Sequence, residues 1–147
     1  MSPLFFLDKE RNEMLEIYSK NQTLATGVAI PLANVSIIKG TTAIPASVAT
    51  INLNKCGVYM VSCDVAVTGA AATEASVQMT KDGVLQPQAE TSFTLAAATP
   101  VSGSFVTLVQ VSENNTSCCC SSPTALQFIY TGAAATGDIN VCVTKIC

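Results

Sequence analysis

Alternation of side chains along GVYMVSCDVAV, residues 57–67, is the feature that most constrains the fold of this chain. Successive side chains of a β-strand point to opposite faces of a sheet. One face would carry Tyr59, Val61, Cys63, Val65 and Val67, and the other would carry Val58, Met60, Ser62 and Asp64. The first set is wholly apolar, so we predict a strand that buries this set against a second layer.

Short apolar runs separated by turn residues continue from Leu24 to the end of the chain. Their sequences are LATGVAIPL, NVSIIKG, ASVATINLN, ASVQMTKDGVLQPQ, TSFTLAAATP, SGSFVTLVQVSEN, TALQFIYTG and DINVCVTKIC. In the fourth of these, Asp82-Gly83 fits a type I′ hairpin turn, because both central positions of that turn need positive φ. About eight or nine strands with no helices between them predict an all-β fold, an antiparallel β-sandwich or jelly roll.

Charged residues are concentrated before this region. The first 20 residues contain Asp8, Lys9, Glu10, Arg11, Glu13, Glu16 and Lys20, whereas the rest of the chain is nearly neutral. Asp8 can cap a helix, and apolar residues then recur at three-to-four spacing. We predict a short N-terminal helix of about three turns, which must dock on another surface because an isolated helix of this length is marginal in water.

The change in charge predicts a boundary, with residues 1–23 as an adapter segment and residues 24–147 as the β domain. We expect the adapter to anchor the chain to a capsid or another particle-surface protein. The predicted anchor residues are its apolar side chains: Leu4, Phe5, Phe6, Leu7, Met14, Leu15, Ile17 and Tyr18.

The apolar run at the start, Leu4 to Leu7, is too short for a secretory signal. Asp8 to Arg11 interrupt it after four residues, whereas a signal peptide needs an apolar stretch of about 7–15 residues. No later run is long enough to cross a bilayer as a helix. The sequence therefore predicts synthesis in the cytoplasm without a signal peptide, and no membrane span.

Composition argues against several classes of function. The chain has 7 Lys and Arg, a net charge of −3 and no histidine. Nucleic-acid binding needs clustered basic residues, and here they are scattered. Without histidine there is no Ser-His or Cys-His pair, the acids of the β region are isolated in sequence, and no phosphate-binding glycine loop is present. We predict a protein that is not an enzyme and has no cofactor.

Seven cysteines could in principle form a metal site, but their spacing does not suit one. Structural zinc sites use paired C-x(2–4)-C motifs, and none is present. We therefore predict no metal. Cys63 and Cys142 lie in predicted strands with inward-facing neighbours, so we expect them to pack in the core as small apolar residues.

Cys118, Cys119 and Cys120 lie together in a polar segment rich in Ser and Asn, and Cys147 ends the sequence. Adjacent cysteines seldom bond to each other, because their Cα atoms are too close for a disulfide. An odd cysteine count leaves at least one thiol without an internal partner. We expect these four to form inter-subunit disulfides after release from the reducing cytoplasm, or to remain free thiols in a flexible loop.

The order of GVAIPL, ASVATINLNKCGVYMVSCDVAV, ASVQMTKDGVLQ, SGSFVTLVQV and GDINVCVTKI resembles the TNF and C1q-like jelly rolls. It is most similar to the bacterial and phage domains typified by the C-terminal domain of BclA. The resemblance covers residues 24–147 and implies a homotrimer with a structural or binding role and no catalysis. The collagen-like stem of BclA-type proteins is missing, and residues 1–23 stand in its place.

Three functional hypotheses follow from these observations. The first is a trimeric decoration or head-fibre protein on the surface of a phage virion, anchored by its N-terminal segment. The second is a recognition module of a virion, in which loops including residues 114–123 bind a host-surface receptor or glycan. The third is a structural protein of the spore surface, which would also be assembled without a signal peptide.

Overall fold

A computed structural model describes residues 13–111 and 123–146, and these residues form eleven β-strands and no helix. The strands are β1 Met14–Leu24, β2 Val28–Ala29, β3 Asn34–Lys39, β4 Ala43–Ser47, β5 Thr50–Leu53, β6 Gly57–Gly69, β7 Glu74–Lys81, β8 Val84–Thr94, β9 Val101–Val111, β10 Thr124–Thr131 and β11 Ala135–Lys145. The predicted all-β architecture is confirmed. Among the described residues there is no helix with the length and hydropathy that a membrane crossing needs.

The strands form two antiparallel sheets that pack face to face. Sheet A has the strand order β3-β1-β11-β6-β9. Sheet B has the order β4-β5-β10-β7-β8, and the short strand β2 also pairs with β10. Strands that are neighbours in a sheet are often distant in sequence, as in the pairing of β1 with β11. The antiparallel sandwich predicted from the sequence is therefore the observed fold.

The core lies between the two sheets and is built from alternate residues of each strand. In β6 the inward set is the predicted one, and Tyr59, Val61 and Cys63 are completely buried. From sheet B, Phe128 and Tyr130 of β10 are also completely buried. The rings of Phe105 and Phe128 meet across the core with centroids 6.3 Å apart. Burial of each large side chain contributes about 1.5–3 kcal/mol relative to exposure.

The hairpin between β7 and β8 turns at the predicted pair. Asp82 and Gly83 have φ of 53° and 85°, and Lys81 pairs with Val84 across the turn. The Asp82 carboxylate accepts a hydrogen bond of 2.9 Å from the backbone N–H of Ala125. The hairpin prediction is confirmed, and this hydrogen bond also ties the turn to the neighbouring strand β10.

The predicted N-terminal helix is wrong for the residues that the structure describes. Residues 14–24 form β1, which lies between β3 and β11 within sheet A. Leu15 and Ile17 are buried in the core, with 0% and 1% exposure, while Met14 and Tyr18 point to the opposite face. The physical reason is that β1 pairs with β11, and this pairing buries Leu15 and Ile17, which are two residues apart as in a strand. The local sequence pattern does not contain the pairing with β11.

The domain boundary after residue 23 stays a prediction. The described part of the proposed adapter segment belongs to the sandwich, because it forms β1. Of the predicted anchor residues, Met14, Leu15, Ile17 and Tyr18 lie on β1. The apolar run Leu4 to Leu7 lies outside the described residues.

The sandwich has two distinct ends. At one end β1 begins and β11 finishes, and the Lys145 N–H donates a hydrogen bond to the Glu13 carbonyl over 3.3 Å. Cys56 precedes β6 at this same end, because Gly57 pairs with Val111 and Tyr59 pairs with Lys145. We call this the terminal end. The opposite end, where β1 finishes and β11 begins, is the far end.

Candidate interaction surface

The outer face of sheet A carries a group of exposed apolar side chains near the terminal end. The register places Met60 between Thr144 and Leu108, and Val106 lies two residues before Leu108 on the same face. Met60, Leu108 and Val106 are 41%, 57% and 63% exposed. The half-buried side chains of Met14 and Cys142 lie on the adjacent strands of this face. We call these five residues the apolar patch.

Large apolar side chains that lie together on a protein surface are normally buried against another part of the protein or a partner. A contiguous exposed apolar area indicates an interaction site more often than it indicates a free surface. Burial of Met60, Val106 and Leu108 against a partner would remove apolar surface from water at about 25 cal/mol per Å². The apolar patch is therefore suited to contact with protein.

Toward the far end, the same face changes to polar side chains around a depression of about 620 Å³. The outward-facing residues that line it are Tyr18, Lys20, Asp64, Ala66, Ser102, Ser104, Asp138 and Asn140. Ala66, Ser102 and Ser104 are small, whereas β1 contributes the larger side chains Tyr18 and Lys20. The depression combines an aromatic ring with carboxylates, an amide, an amine and hydroxyl groups.

Hydrogen bonds hold two sides of the depression. The Asp138 carboxylate accepts a bond of 2.8 Å from the Asn21 backbone N–H. Asn21 adopts positive φ of 56°, at the irregularity where the β1 register shifts between Ser19 and Gln22. The Asn140 amide donates to the Glu16 carboxylate over 3.2 Å. These two hydrogen bonds link β1 and β11 on this face.

Two acids that are isolated in the sequence, Asp64 and Asp138, line this one depression. Sheet register brings them together, since Asp64 pairs with Asn140, two residues along β11 from Asp138. Asp64 is exposed to water and Asp138 is half-buried. Within the described ranges, no three Cys, Asp or Glu residues are placed to hold a metal ion. The arrangement suits hydrogen bonding to a polar ligand.

The two cysteines expected in the core occupy different environments. Cys63 is completely buried on β6, and burial raises the pKa of its thiol well above the ordinary range. Cys142 is half-buried on the outer face of sheet A, because its neighbours Val141 and Val143 are the residues that point inward. Both are free thiols. The core position expected for Cys142 is therefore not the observed one.

The other predicted cysteine sites, Cys118, Cys119, Cys120 and Cys147, lie outside the described residues. The strands that flank the triplet meet at the terminal end, where Val111 pairs with Gly57 and Thr124 pairs with Leu53. The residues that flank this segment therefore lie at the same end of the sandwich as the start of β1 and the end of β11.

Sequence reasoning missed the apolar patch. A signal was present in SFVTLVQV, residues 104–111, where apolar residues occupy adjacent positions and therefore cannot all face one layer. Phe105, Thr107 and Val109 point inward, which leaves Val106 and Leu108 on the outer face. The depression had no comparable signal, because its residues come from four strands that only the sheet order brings together.

Solved structures with the same architecture identify the fold. The globular domain of zebrafish complement 1qA aligns with a TM-score of 0.70 and 5% identity, covering 92% of this chain and 98% of that one. Eiger TNF from S. frugiperda aligns with a TM-score of 0.68 and 8% identity, covering 92% of each chain. The fold is the C1q and TNF jelly roll.

A third solved structure is the PRD1 vertex protein P5, with a TM-score of 0.64 and 16% identity over 92% of this chain and 97% of that one. Identities this low establish the shared jelly roll and nothing finer. No protein-family model matches the chain. A search of curated proteins also returns no match. The narrower resemblance to BclA-type domains stays a prediction.

Proposed function

We propose that this protein is a non-enzymatic, homotrimeric jelly roll on the surface of a phage virion. The observation that carries the proposal is the apolar patch, in which Met60, Val106 and Leu108 are each more than 40% exposed on one face. Repeated copies of the chain would cover these side chains in a closed assembly. The similarity in fold to a vertex protein, P5 of PRD1, supports the virion as the place of that assembly.

Light scattering on the purified chain tests the trimer. The chain has a mass of 15.2 kDa, so we expect a particle of about three times that mass. A solution mass equal to one chain at micromolar concentration would contradict the proposal.

Attachment to the particle is proposed to occur at the terminal end through the segment before β1. A deletion that tests this must stop before Met14, since β1 is part of sheet A and contributes buried Leu15 and Ile17. A chain that lacks residues 1–12 should fold and trimerise but fail to join particles. Replacement of residues 1–12 by a Gly/Ser segment of equal length is the matched control for spacing. Normal incorporation of both variants would contradict this attachment.

We also propose that disulfides form at the terminal end. Cys56 lies at this end and is disulfide-bonded, and we propose that its partner is one of Cys118, Cys119, Cys120 and Cys147. Buried Cys63 and outward-facing Cys142 remain reduced. Electrophoresis of released particles with and without reductant separates bonds between subunits, which shift the band to higher mass, from bonds within one subunit. If all seven cysteines of the denatured protein can be alkylated without reductant, then neither kind of disulfide is present and the proposal is contradicted.

A second function, recognition of a host-surface saccharide, is favoured by the polar depression. Carboxylates, an amide and hydroxyls can bond to sugar hydroxyls, and the Tyr18 ring can lie against the apolar side of a sugar. Saturation-transfer NMR with a panel of neutral oligosaccharides should give signals that Asp64→Ala abolishes and that Glu90→Ala, on sheet B, leaves unchanged. Absence of any signal would contradict saccharide recognition, and only the structural role would remain.

A further inference from the structure

The strand β3 is an edge of sheet A with one open side. It pairs with β1, and within residues 13–111 and 123–146 no strand pairs with its other side. All six residues of β3, Asn34–Lys39, are exposed. The N–H and C=O groups along such an edge are a template for another strand, so proteins normally block or cover it.

The open edge of β3 is also apolar on the side that faces the core. Val35 pairs with Ile17 and Ile38 pairs with Leu15, so the side chains of Val35 and Ile38 point inward. Ser36 is the extra residue where the register shifts, which brings these two side chains to one face. They are nevertheless 43% and 48% exposed. The core therefore has an uncovered apolar margin along β3.

The facing edge strand of sheet B is less suited to accept a further strand. This strand is β4, in which Pro45 pairs with Ile51. Proline has no backbone N–H to donate to a neighbour, and it is a common way to protect the edge of a sheet. The β3 strand contains no proline. A strand that covers the margin is therefore expected to pair with β3.

We propose that the apolar run Leu4–Leu7 of the same chain docks on the open edge of β3 as an additional strand and covers Val35 and Ile38. The run has the sequence Leu-Phe-Phe-Leu and lies outside the described residues. Side chains alternate along a strand, so in either orientation one leucine and one phenylalanine face the margin. Each orientation supplies two large apolar groups to it.

The point where this segment joins β1 allows it to reach the edge. Glu13 lies beside the end of β3, because a Cβ at Gly40 would stand only 2.7 Å from the Glu13 Cγ. The open edge is two strand spacings from β1, which is about 10 Å. The five residues 8–12 can span about 16–18 Å. They can therefore connect Glu13 to a strand on the far side of β3.

A tethered segment is favoured over a separate molecule as the occupant. A short linker holds the run near β3 at an effective concentration in the millimolar range. Residues 8–11 are all charged and can stay in water as the connection. A second copy or a particle protein would first have to displace the run.

The docking goes beyond the proposed attachment to particles and does not rest on it. It concerns the protein before it meets a particle, when four large apolar side chains would otherwise be exposed. Attachment through the same run would require its release from β3.

The chain contains no tryptophan, so a single introduced tryptophan reports only on its own surroundings. Phe5→Trp and Phe6→Trp place it on the two faces of the run, and Arg11→Trp in the connection is the matched control. Docking predicts that at least one of the first two variants emits at shorter wavelength and is quenched less by acrylamide than Arg11→Trp. This difference should persist on dilution, because the segment belongs to the same chain.

A second substitution tests whether β3 is the docking site. Ile38→Asp, added to the variant with the shorter emission wavelength, should return the emission to that of Arg11→Trp. Val84→Asp is the control, because Val84 is also exposed but lies on β8. It should leave the emission unchanged. Circular dichroism verifies that each variant is folded.

Hydrogen exchange gives a measurement without tryptophan. In a chain that lacks residues 1–12, the β3 amides that face the open edge should exchange faster by about tenfold or more than in the full chain. The amides of β9, the other edge strand of sheet A, should exchange at the same rate in both.

Three outcomes would overturn the inference. The first is emission from both phenylalanine positions equal to that of Arg11→Trp, together with unchanged exchange in β3. The second is a shorter emission wavelength that Ile38→Asp does not alter, which would locate the run elsewhere. The third is a signal that disappears on dilution, which would identify a second copy as the occupant. Incorporation into particles is measured separately, so none of these outcomes decides the proposed attachment.

Discussion

Two buried tyrosines make the same kind of hydrogen bond through their hydroxyl groups. The hydroxyl of Tyr59 donates to the Lys55 carbonyl and that of Tyr130 donates to the Ala133 carbonyl, each over 2.6 Å. Burial raises the pKa of both phenols, and the Glu13 carboxylate adds to the rise at Tyr59. The native structure therefore favours the protonated form of each side chain.

This preference predicts a loss of stability in alkali. Above the ordinary tyrosine pKa of about 10, the unfolded chain releases protons that the native chain retains, so the free energy of unfolding falls as pH rises. Below that pH the contribution is fully present. Urea denaturation at a series of alkaline pH values measures the fall, and a Tyr59→Phe, Tyr130→Phe double variant should show a smaller one. Stability that holds constant or rises above pH 10 would disprove the prediction.

Individual strands show which part of the structure could be predicted from sequence. In β6 the inward residues were identified correctly, because the period of two runs through most of its 13 residues. In β1 two periods coexist over a short stretch, with Leu15 and Ile17 two apart but Met14 and Tyr18 four apart. The choice between them is made by β11, more than 100 residues later. Local pattern cannot contain that information.

The inclusion of β1 in the core can be tested by truncating one side chain. Leu15→Ala should lower the free energy of unfolding by about 2–5 kcal/mol, because Leu15 is fully buried and the change leaves a cavity. Lys20→Ala, on the same strand but exposed, should change it by less than about 0.5 kcal/mol. Chemical denaturation of both variants provides the comparison. Equal effects would mean that β1 is not packed as described.

In the β7–β8 turn, replacing the glycine should cost free energy through the backbone conformation and not through a steric clash. A Cβ at Gly83 would meet no atom within 4 Å, but φ there is 85°. Gly83→Ala should therefore destabilise the protein by about 1 kcal/mol through the left-handed backbone alone. Gly83→Asn should cost less, since Asn tolerates this region better. Thermal denaturation of the pair tests the explanation, which fails if Asn is as costly as Ala.

At the scale of the whole molecule, the sequence predicted the sandwich but not its interaction surface. Strand count and turn signals are local properties, and they were sufficient for the fold class. The apolar patch and the depression depend on sheet order and register, which place β9 beside β6 and β6 beside β11. Cys142 shows the same limit, because a one-residue difference in facing moves it from the core to the outer face.

Assembly should also appear in the thermal stability. If folded chains associate, the melting temperature rises with protein concentration, because association removes folded monomer from the unfolding equilibrium. Scanning fluorimetry over a hundredfold range of wild-type concentration should show this rise. Val106→Glu places a charge in the apolar patch and should prevent association, so the melting temperature of this variant should not depend on concentration. A wild-type melting temperature that is equally insensitive would argue against association.

The hydrogen bond between Lys145 and Glu13 joins the first and last strands as direct neighbours. The two ends of the described chain therefore lie close enough for a short linker to join them. A circularly permuted gene, with a short linker from Ile146 to Glu13 and new ends opened in the β6–β7 connection, should encode the same sandwich. Such a permutant would move any fused cargo from one pole of the molecule to the other.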